Sequence, residues 1–268
     1  MEVSSAKLAY FSPTNTTRTI VEAIAQGFGA NDVEHLNLTF PDTSTKTFDP
    51  FTDELVILGA PVYAGRLPKE AVKRLSMLKG NHTPAVVIVM YGNRAFEDAL
   101  LELNNLAVDL GFIPIAAGAF IGEHSYANSE NPIAVARPDN HDLEIAAAFG
   151  QDIQKKLAVI DDLSKISPLN VPGNFPYKDG VKVSDESAGT IEEICTLCGT
   201  CVLSCPTAAV FITADERVET DKQLCILCCA CVKSCPTGAR VMAEPRIKTV
   251  AKWLAENCGE RKEPETFL

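Results

Sequence analysis

Cysteine is absent from the first 194 residues. Positive charge is scarce, with 24 Lys and Arg against 35 Asp and Glu and a net charge of −11. That balance argues against a nucleic-acid partner, because binding a phosphate backbone depends on clustered Lys and Arg. Long apolar runs are missing too. The longest candidates, Ala85–Tyr91 and Phe112–Gly122, fall short of the roughly 18 residues that a membrane span needs, so none is expected. The first thirty residues hold no charged leader followed by an apolar stretch and a small-residue cleavage site, and a cytoplasmic location is expected. What remains is ordinary: 46% apolar and 22% charged residues, enough for a full-sized core. At about 150 residues per domain, the 268 residues argue for two domains.

The first half alternates two periodicities. Lys7–Phe11 and Val33–Leu38 read as short strands. Glu54–Ala60 and Ala85–Tyr91 are nearly unbroken apolar runs, as in parallel strands buried on both faces. Pro114–Phe120 is a fifth run, rich in small residues. Between the runs, apolar residues recur at helical spacing: Ile20, Val21, Ile24 and Phe28, then Val72, Leu75 and Leu78. Phe96, Leu100, Leu103, Leu106 and Leu110 follow, and Ala146, Ala147, Phe149, Ile153 and Leu157 close the series. Five strands interleaved with helices predict a three-layer α/β sandwich over residues 1–160, which binds ligands beyond the carboxyl ends of its strands. Residues 161–187, with Pro168, Pro172, Gly173, Pro176 and Gly180 among charges, read as a linker packed along the surface. Residues 188–243 form a second domain. Residues 244–268 form a helical tail with Val250, Ala251 and Leu254 on one side.

Nine of the ten cysteines lie between Cys195 and Cys235, and Cys258 stands apart. A disulfide scaffold spreads its cysteines through the chain; thiols so concentrated point to metal ligands. Displaced by 30 residues, Cys195, Leu197, Cys198, Cys201, Val202, Ser204, Cys205, Pro206, Thr207 and Ala209 all meet identical residues. Each copy reads C-x2-C-x2-C-x3-C-P. Three cysteines at this spacing can wrap one iron–sulfur cube within a tight loop, and the fourth, followed by Pro, is expected to start a helix and face the neighbouring cube. Thiolates suit iron–sulfur iron because it is a soft site. A pair of zinc sites is the alternative, although zinc knuckles rarely repeat four cysteines with Pro after the fourth. Cys229 reads as a small buried filler and Cys258 as a plain thiol.

Both motifs resemble those of bacterial ferredoxins with two 4Fe-4S clusters, over about residues 188–243. The resemblance implies that Cys195, Cys198, Cys201 and Cys235 hold one cluster. It implies that Cys225, Cys228, Cys231 and Cys205 hold the other.

After the first strand comes YFSPTNTTRT, residues 10–19. Ser12, Thr14, Asn15, Thr16 and Thr17 offer hydroxyls and backbone amides where a helix begins, a natural phosphate site. No lysine and no P-loop pattern accompanies them, which speaks against a nucleoside triphosphate. The loop resembles that of flavodoxin, with Asn15 in place of Gly, a residue that tolerates positive φ; by itself it could equally be a helix cap. Two more loops leave the third and fourth strands, GAPVYAGRLP (59–68) and YGNRAFEDAL (91–100). In flavodoxin-like folds such loops hold the isoalloxazine ring of FMN. The resemblance places Pro61, Val62, Tyr63, Ala64 and Gly65, and Tyr91, Gly92, Asn93 and Arg94, around that ring. Tyr63 and Tyr91 would stack on it, Gly65 and Gly92 would let the backbone approach, and Asn93 and Arg94 would bond its polar edge. The whole chain resembles the flavodoxin–ferredoxin fusion family. That resemblance implies an α/β fold with a flavodoxin-like doubly wound five-stranded parallel sheet, followed by a small α+β bacterial ferredoxin-like domain.

Residues 121–142 form a segment longer than flavin binding requires, and long loops are often functional. Glu123, His124, Ser125, Tyr126 and Arg137 could cover the flavin or contact a substrate, and His124 could relay protons. A packed surface loop with a satisfied histidine is the plain alternative. Joined cofactors imply an electron-transfer protein passing electrons between an external redox partner, two 4Fe-4S clusters and FMN. The alternatives are an FMN-dependent reductase of a small organic electron acceptor fed by the clusters, and a flavin-free iron–sulfur sensor. An acidic chain would favour a partner with a basic docking patch. A homo-oligomer is left open.

Overall fold

The computed structural model describes residues 3–180 and 185–268. The first domain runs β1 (Ser5–Tyr10), α1 (Thr16–Phe28), β2 (Asp32–Asn37), β3 (Leu55–Pro61), α2 (Lys69–Leu75), β4 (Thr83–Tyr91), α3 (Ala99–Asp109), β5 (Phe112–Ile121) and α4 (Asn140–Ala158). These five strands are parallel and ordered β2-β1-β3-β4-β5, the flavodoxin-type doubly wound order, whose ligand crevice lies at the β1/β3 switch point. β3 and β4 are buried along their whole length, as their unbroken apolar runs require.

Two cores follow from the pleat. Val56, Leu58, Val87 and Val89 face Leu100 and Leu103 of α3 on one side. Ile57 and Ile88 face Ile20 and Ile24 of α1 and Phe149 and Ile153 of α4 on the other. Fully burying each such side chain stabilises the fold by roughly 1.5–3 kcal/mol. α1 and α4 touch backbone to backbone. A Cβ at Gly150 would stand 2.1 Å from the Ile24 carbonyl oxygen, so only glycine fits there.

The second domain holds β6 (Gly189–Thr190), α5 (Thr200–Leu203), β7 (Val210–Ile212), β8 (Val218–Thr220), α6 (Ala230–Lys233) and β9 (Arg240–Val241). β6 pairs with β9 and β7 with β8, both antiparallel. α5 and α6 are 30 residues apart, so the sequence repeat is a structural repeat. A turn over Pro206–Ala208, rather than the expected helix, follows Cys205, and the same holds after Cys235. The short helices precede those cysteines.

The tail differs from its expected all-helical form. α7 (Pro245–Asn257) buries Ile247, Ala251 and Leu254. The chain then returns to the first domain as β10 (Glu265–Phe267), a sixth strand antiparallel to β5. β10 covers an edge whose unpaired backbone groups would otherwise invite association. The expected linker lies along the first domain. Ile160, Leu163 and Ile166 join one core, and Leu169 and Val171 the other. Residues 181–184 of that linker lie outside the described residues. Among the described residues no helix is long and apolar enough to cross a membrane.

Candidate cofactor-binding sites

Asn15 opens α1 with φ 64°, the left-handed backbone that the loop demands and that Asn adopts more readily than most residues. Ser12 Oγ accepts from the Arg18 N–H at 3.1 Å, and the Ser12 N–H donates to Thr39 Oγ1 at 2.8 Å. These bonds fix the loop. Thr17 Oγ1 is buried without a hydrogen-bond partner among the described residues. The first turn of any helix leaves N–H groups unpaired, and no acidic side chain occupies this one. The loop therefore fits an anion.

A cavity of about 650 Å³ opens at the carboxyl ends of the strands. Thr14 and Thr16 line it from the first loop, Pro61, Val62, Tyr63 and Ala64 from the second, and Tyr91, Gly92 and Arg94 from the third. Burial pushes the Tyr63 phenol well above its ordinary pKa, with Cys228 and Cys229 nearby adding to the effect. Tyr91 belongs to the core wall as well, 5.4 Å from the Phe96 ring, and burial raises its pKa to about 12. A Cβ at Gly92 would stand 2.3 Å from His124 Cδ2, so glycine lets the imidazole close over this loop.

Several expected contacts lie elsewhere. Asn93 does not line the cavity; it is buried, and its Nδ2 donates to the Cys258 and Glu260 carbonyls at 2.6 and 2.8 Å, which ties down the tail. Gly65 packs against Glu97, away from the cavity. Arg137 is also buried, in an ion pair with Asp142, and donates to the Lys262 carbonyl at 2.6 Å. It therefore anchors the tail and is not among the residues lining this cavity. Of the long segment, Glu123, His124, Ser125 and Tyr126 line the cavity. His124 Nδ1 accepts the Tyr126 N–H at 3.0 Å, so the neutral ring carries its proton on Nε2. Burial first, then Lys233 and Arg94, lowers its pKa to about 4. At neutral pH it is a hydrogen-bond donor rather than a store of ionisable protons, which weakens the proton-relay reading.

The roof of this cavity is not foreseeable from local pattern. Ile226 and Leu227 come from the cysteine domain, and Ile247, Val250, Trp253 and Leu254 from α7. Residues 121–138 carry both. Ala127 and Ile133 pack on Leu254. Lys233 pairs with Glu123 and donates to the Ala127 carbonyl at 2.8 Å. From the other side, Arg74 of α2 donates to the Pro206 carbonyl at 2.5 Å.

The cysteines fall into two sets. Cys195, Cys198, Cys201 and Cys235 line one small cavity; Cys205, Cys225, Cys228 and Cys231 line another, together with Cys229. All ten cysteines are free thiols. Among the described residues no three His, Cys, Asp or Glu side chains gather as the ligands of a single ion would. Donors surround the sulfurs: the Ala209 N–H lies 3.2 Å from Cys205 Sγ, and Thr200 Oγ1 3.4 Å from Cys198 Sγ. Burial raises the pKa of Cys225, Cys228 and Cys231, so these thiols need a cationic centre to become thiolates. This donor set fits iron–sulfur clusters. Ile226 lines both the large cavity and the Cys205/225/228/231 site, which is therefore the near site. The far site includes the exposed Cys198.

Residues 189–236 match the 4Fe-4S dicluster domain family. A comparison with curated proteins finds no match. Among solved structures, the Flv1 flavodiiron core from Synechocystis sp. PCC6803 is 18% identical with a TM-score of 0.39, over 57% of this chain. The chain spans 36% of that protein's length. A flavodoxin from the domain Archaea is 14% identical with a TM-score of 0.37, over 57% of this chain and 99% of its own. The Streptococcus pneumonia TIGR4 flavodoxin is 17% identical with a TM-score of 0.39, over the same shares.

Proposed function

We propose that this chain is an electron-transfer iron–sulfur flavoprotein, with FMN in the crevice of residues 1–160 and two 4Fe-4S clusters in residues 188–243. On this reading 161–187 is the strap between them and 244–268 is the roof and latch. The observation that carries it is the shared wall at Ile226, which puts one four-cysteine site directly against the crevice cavity. When bound, clusters pass single electrons and flavin exchanges one or two, which joins one-electron carriers to two-electron chemistry.

The chain's own residues supply placement. Thr14, Thr16 and the start of α1 would hold the phosphate. Tyr63, Tyr91 and Gly92 would border the ring, and His124 Nε2–H would donate to its polar edge. Ile247, Val250 and Leu254 exclude water from above. The far site, with exposed Cys198, is the side that an external redox protein can approach.

A second reading, reduction of a small organic acceptor, draws support from the roof. A carrier exchanging electrons at an open flavin edge has no need of α7 over its cavity. Anaerobic purification with flavin, iron and sulfide analysis tests the first reading. Bound FMN with iron and sulfide in equal amounts is expected; zinc in their place, or a chain without flavin, refutes it. Turnover of small quinones by the reduced protein alone separates the second reading from the first.

A further inference from the structure

The two copies of the cysteine repeat differ in charge at a position buried in both: Val210 of the first corresponds to Arg240 of the second. Val210 is an ordinary core residue. Arg240 is 2% exposed, and an uncompensated buried charge is costly. Its hydrogen bonds go to neutral oxygens. Nη1 donates to Thr190 Oγ1 at 2.6 Å, and Nη2 to Thr220 Oγ1 at 2.6 Å and the Ala188 carbonyl at 3.0 Å. Nε is buried with no hydrogen-bond partner among the described residues. The residue also touches both cysteine sets. Nη2 lies 3.9 Å from Cys231 Sγ of the near site. Arg240 also lines the far site, beside Cys235.

We propose that Arg240 is the counter-charge of the cluster pair, with its guanidinium compensating the thiolate-ligated centres and its free Nε–H directed at cluster sulfur. Each cluster ligated by four thiolates is anionic and gains one further negative charge when it accepts one electron. A buried cation stabilises the more negative state more strongly, and hydrogen bonds to sulfur act in the same direction. Arg240 therefore raises the reduction potential, most at the near site, where Nη2 meets Cys231. Electrons then settle beside the crevice rather than at the exposed end. Arg240 is a positioning residue for charge and touches no substrate. This inference rests on the reading of the cysteines as cluster ligands.

The test uses the full chain, isolated without air, as wild type, R240Q and R240K. Iron and sulfide are measured first, and the clusters are then titrated with dithionite and followed by EPR. In iron-replete R240Q the reduced-to-oxidised ratio of the near cluster at a fixed poise is expected to fall about tenfold, or about 59 mV for one electron. R240K, which keeps the charge, should recover most of that shift. Iron-replete R240Q with an unchanged ratio overturns the proposal, and so does an equal shift in R240K and R240Q. If R240Q fails to hold iron, wild-type protein labelled with guanidino-15N arginine takes its place. A 15N coupling to the reduced cluster in pulsed EPR supports the proposal, and its absence overturns it. Wild type without iron would refute the cluster reading itself, a result distinct from either.

Discussion

Cys198 of the first copy is exposed, whereas Cys228, its counterpart thirty residues on, is buried. Leu203 at the end of α5 is 79% exposed, whereas Lys233 at the same place in α6 reaches Glu123 and Ala127 of the first domain. Gly199 faces open space among the described residues, whereas Cys229 is 2% exposed. One motif written twice thus yields two unlike sites. Ligand spacing makes them alike, and the neighbours of each copy make them different. At two of these positions the residues themselves differ, Leu203 against Lys233 and Gly199 against Cys229, and it is the second copy that packs against the first domain.

On the proposed reading, with clusters on these cysteines and FMN in the crevice, removing one ligand from each copy gives the largest expected effect. C228S should lose about half the iron. Donor-driven flavin reduction should then fall to background, because the site against Ile226 is broken. C198S should also lose iron, yet its flavin should still be reduced by a small chemical reductant that enters through the near side. Stopped-flow reduction of both variants decides this. If C198S and C228S behave identically, the near and far assignment fails.

Much of this arrangement was legible in the residues. All five parallel strands fall within about two residues of their expected ranges, most plainly β3 and β4, whose burial along their whole length demands unbroken apolar runs. The cysteine sets were implied by the resemblance to two-cluster ferredoxins, in which the fourth cysteine of each run crosses to the other copy. The rest depends on contacts between distant residues. β10 is three residues long and carries no periodic signal. Asn93 and Arg137 look like ligand-binding residues in a glycine-rich loop and a long segment, yet both hold tail carbonyls more than 120 residues away. The roof came from α7, whose amphipathic face was visible while its destination was not.

The docking of the second copy has a pH signature at His124. The folded chain favours its neutral ring, with a pKa of about 4 against an ordinary value near 6.5. Unfolding therefore takes up a proton between those values. This contribution is whole above about pH 6.5 and is lost as pH falls toward 4, on the order of 3 kcal/mol in all. H124Q should flatten that part of the slope in urea unfolding between pH 7 and 4.5. An unchanged slope would mean that the ring is hydrated.

K233L places the residue of the first copy in the second. It removes the bond to the Ala127 carbonyl and the half-buried pair with Glu123, together worth about 1–2 kcal/mol. It also removes a cation that disfavours charging of His124, so that pKa should rise. Histidine NMR titration measures the rise directly. A stability loss without any pKa change would show that Lys233 holds the domains together but lies too far from the imidazole to affect it.

The smallest effect isolates the backbone. Gly199 and Cys229 share a left-handed conformation, φ 75° and 58°. A side chain costs about 1–2 kcal/mol there. At Cys229 that cost is mixed with whatever burial of its sulfur gains. At Gly199 it stands alone, because an added Cβ meets nothing within 4 Å. G199A should therefore destabilise thermal unfolding by about 1 kcal/mol with full iron content. C229G should change stability by less than that, since relief of strain and loss of packing oppose each other. If G199A proves neutral, left-handed strain is absent from these loops, and Cys229 then stands at its position without a conformational cost for its burial to offset.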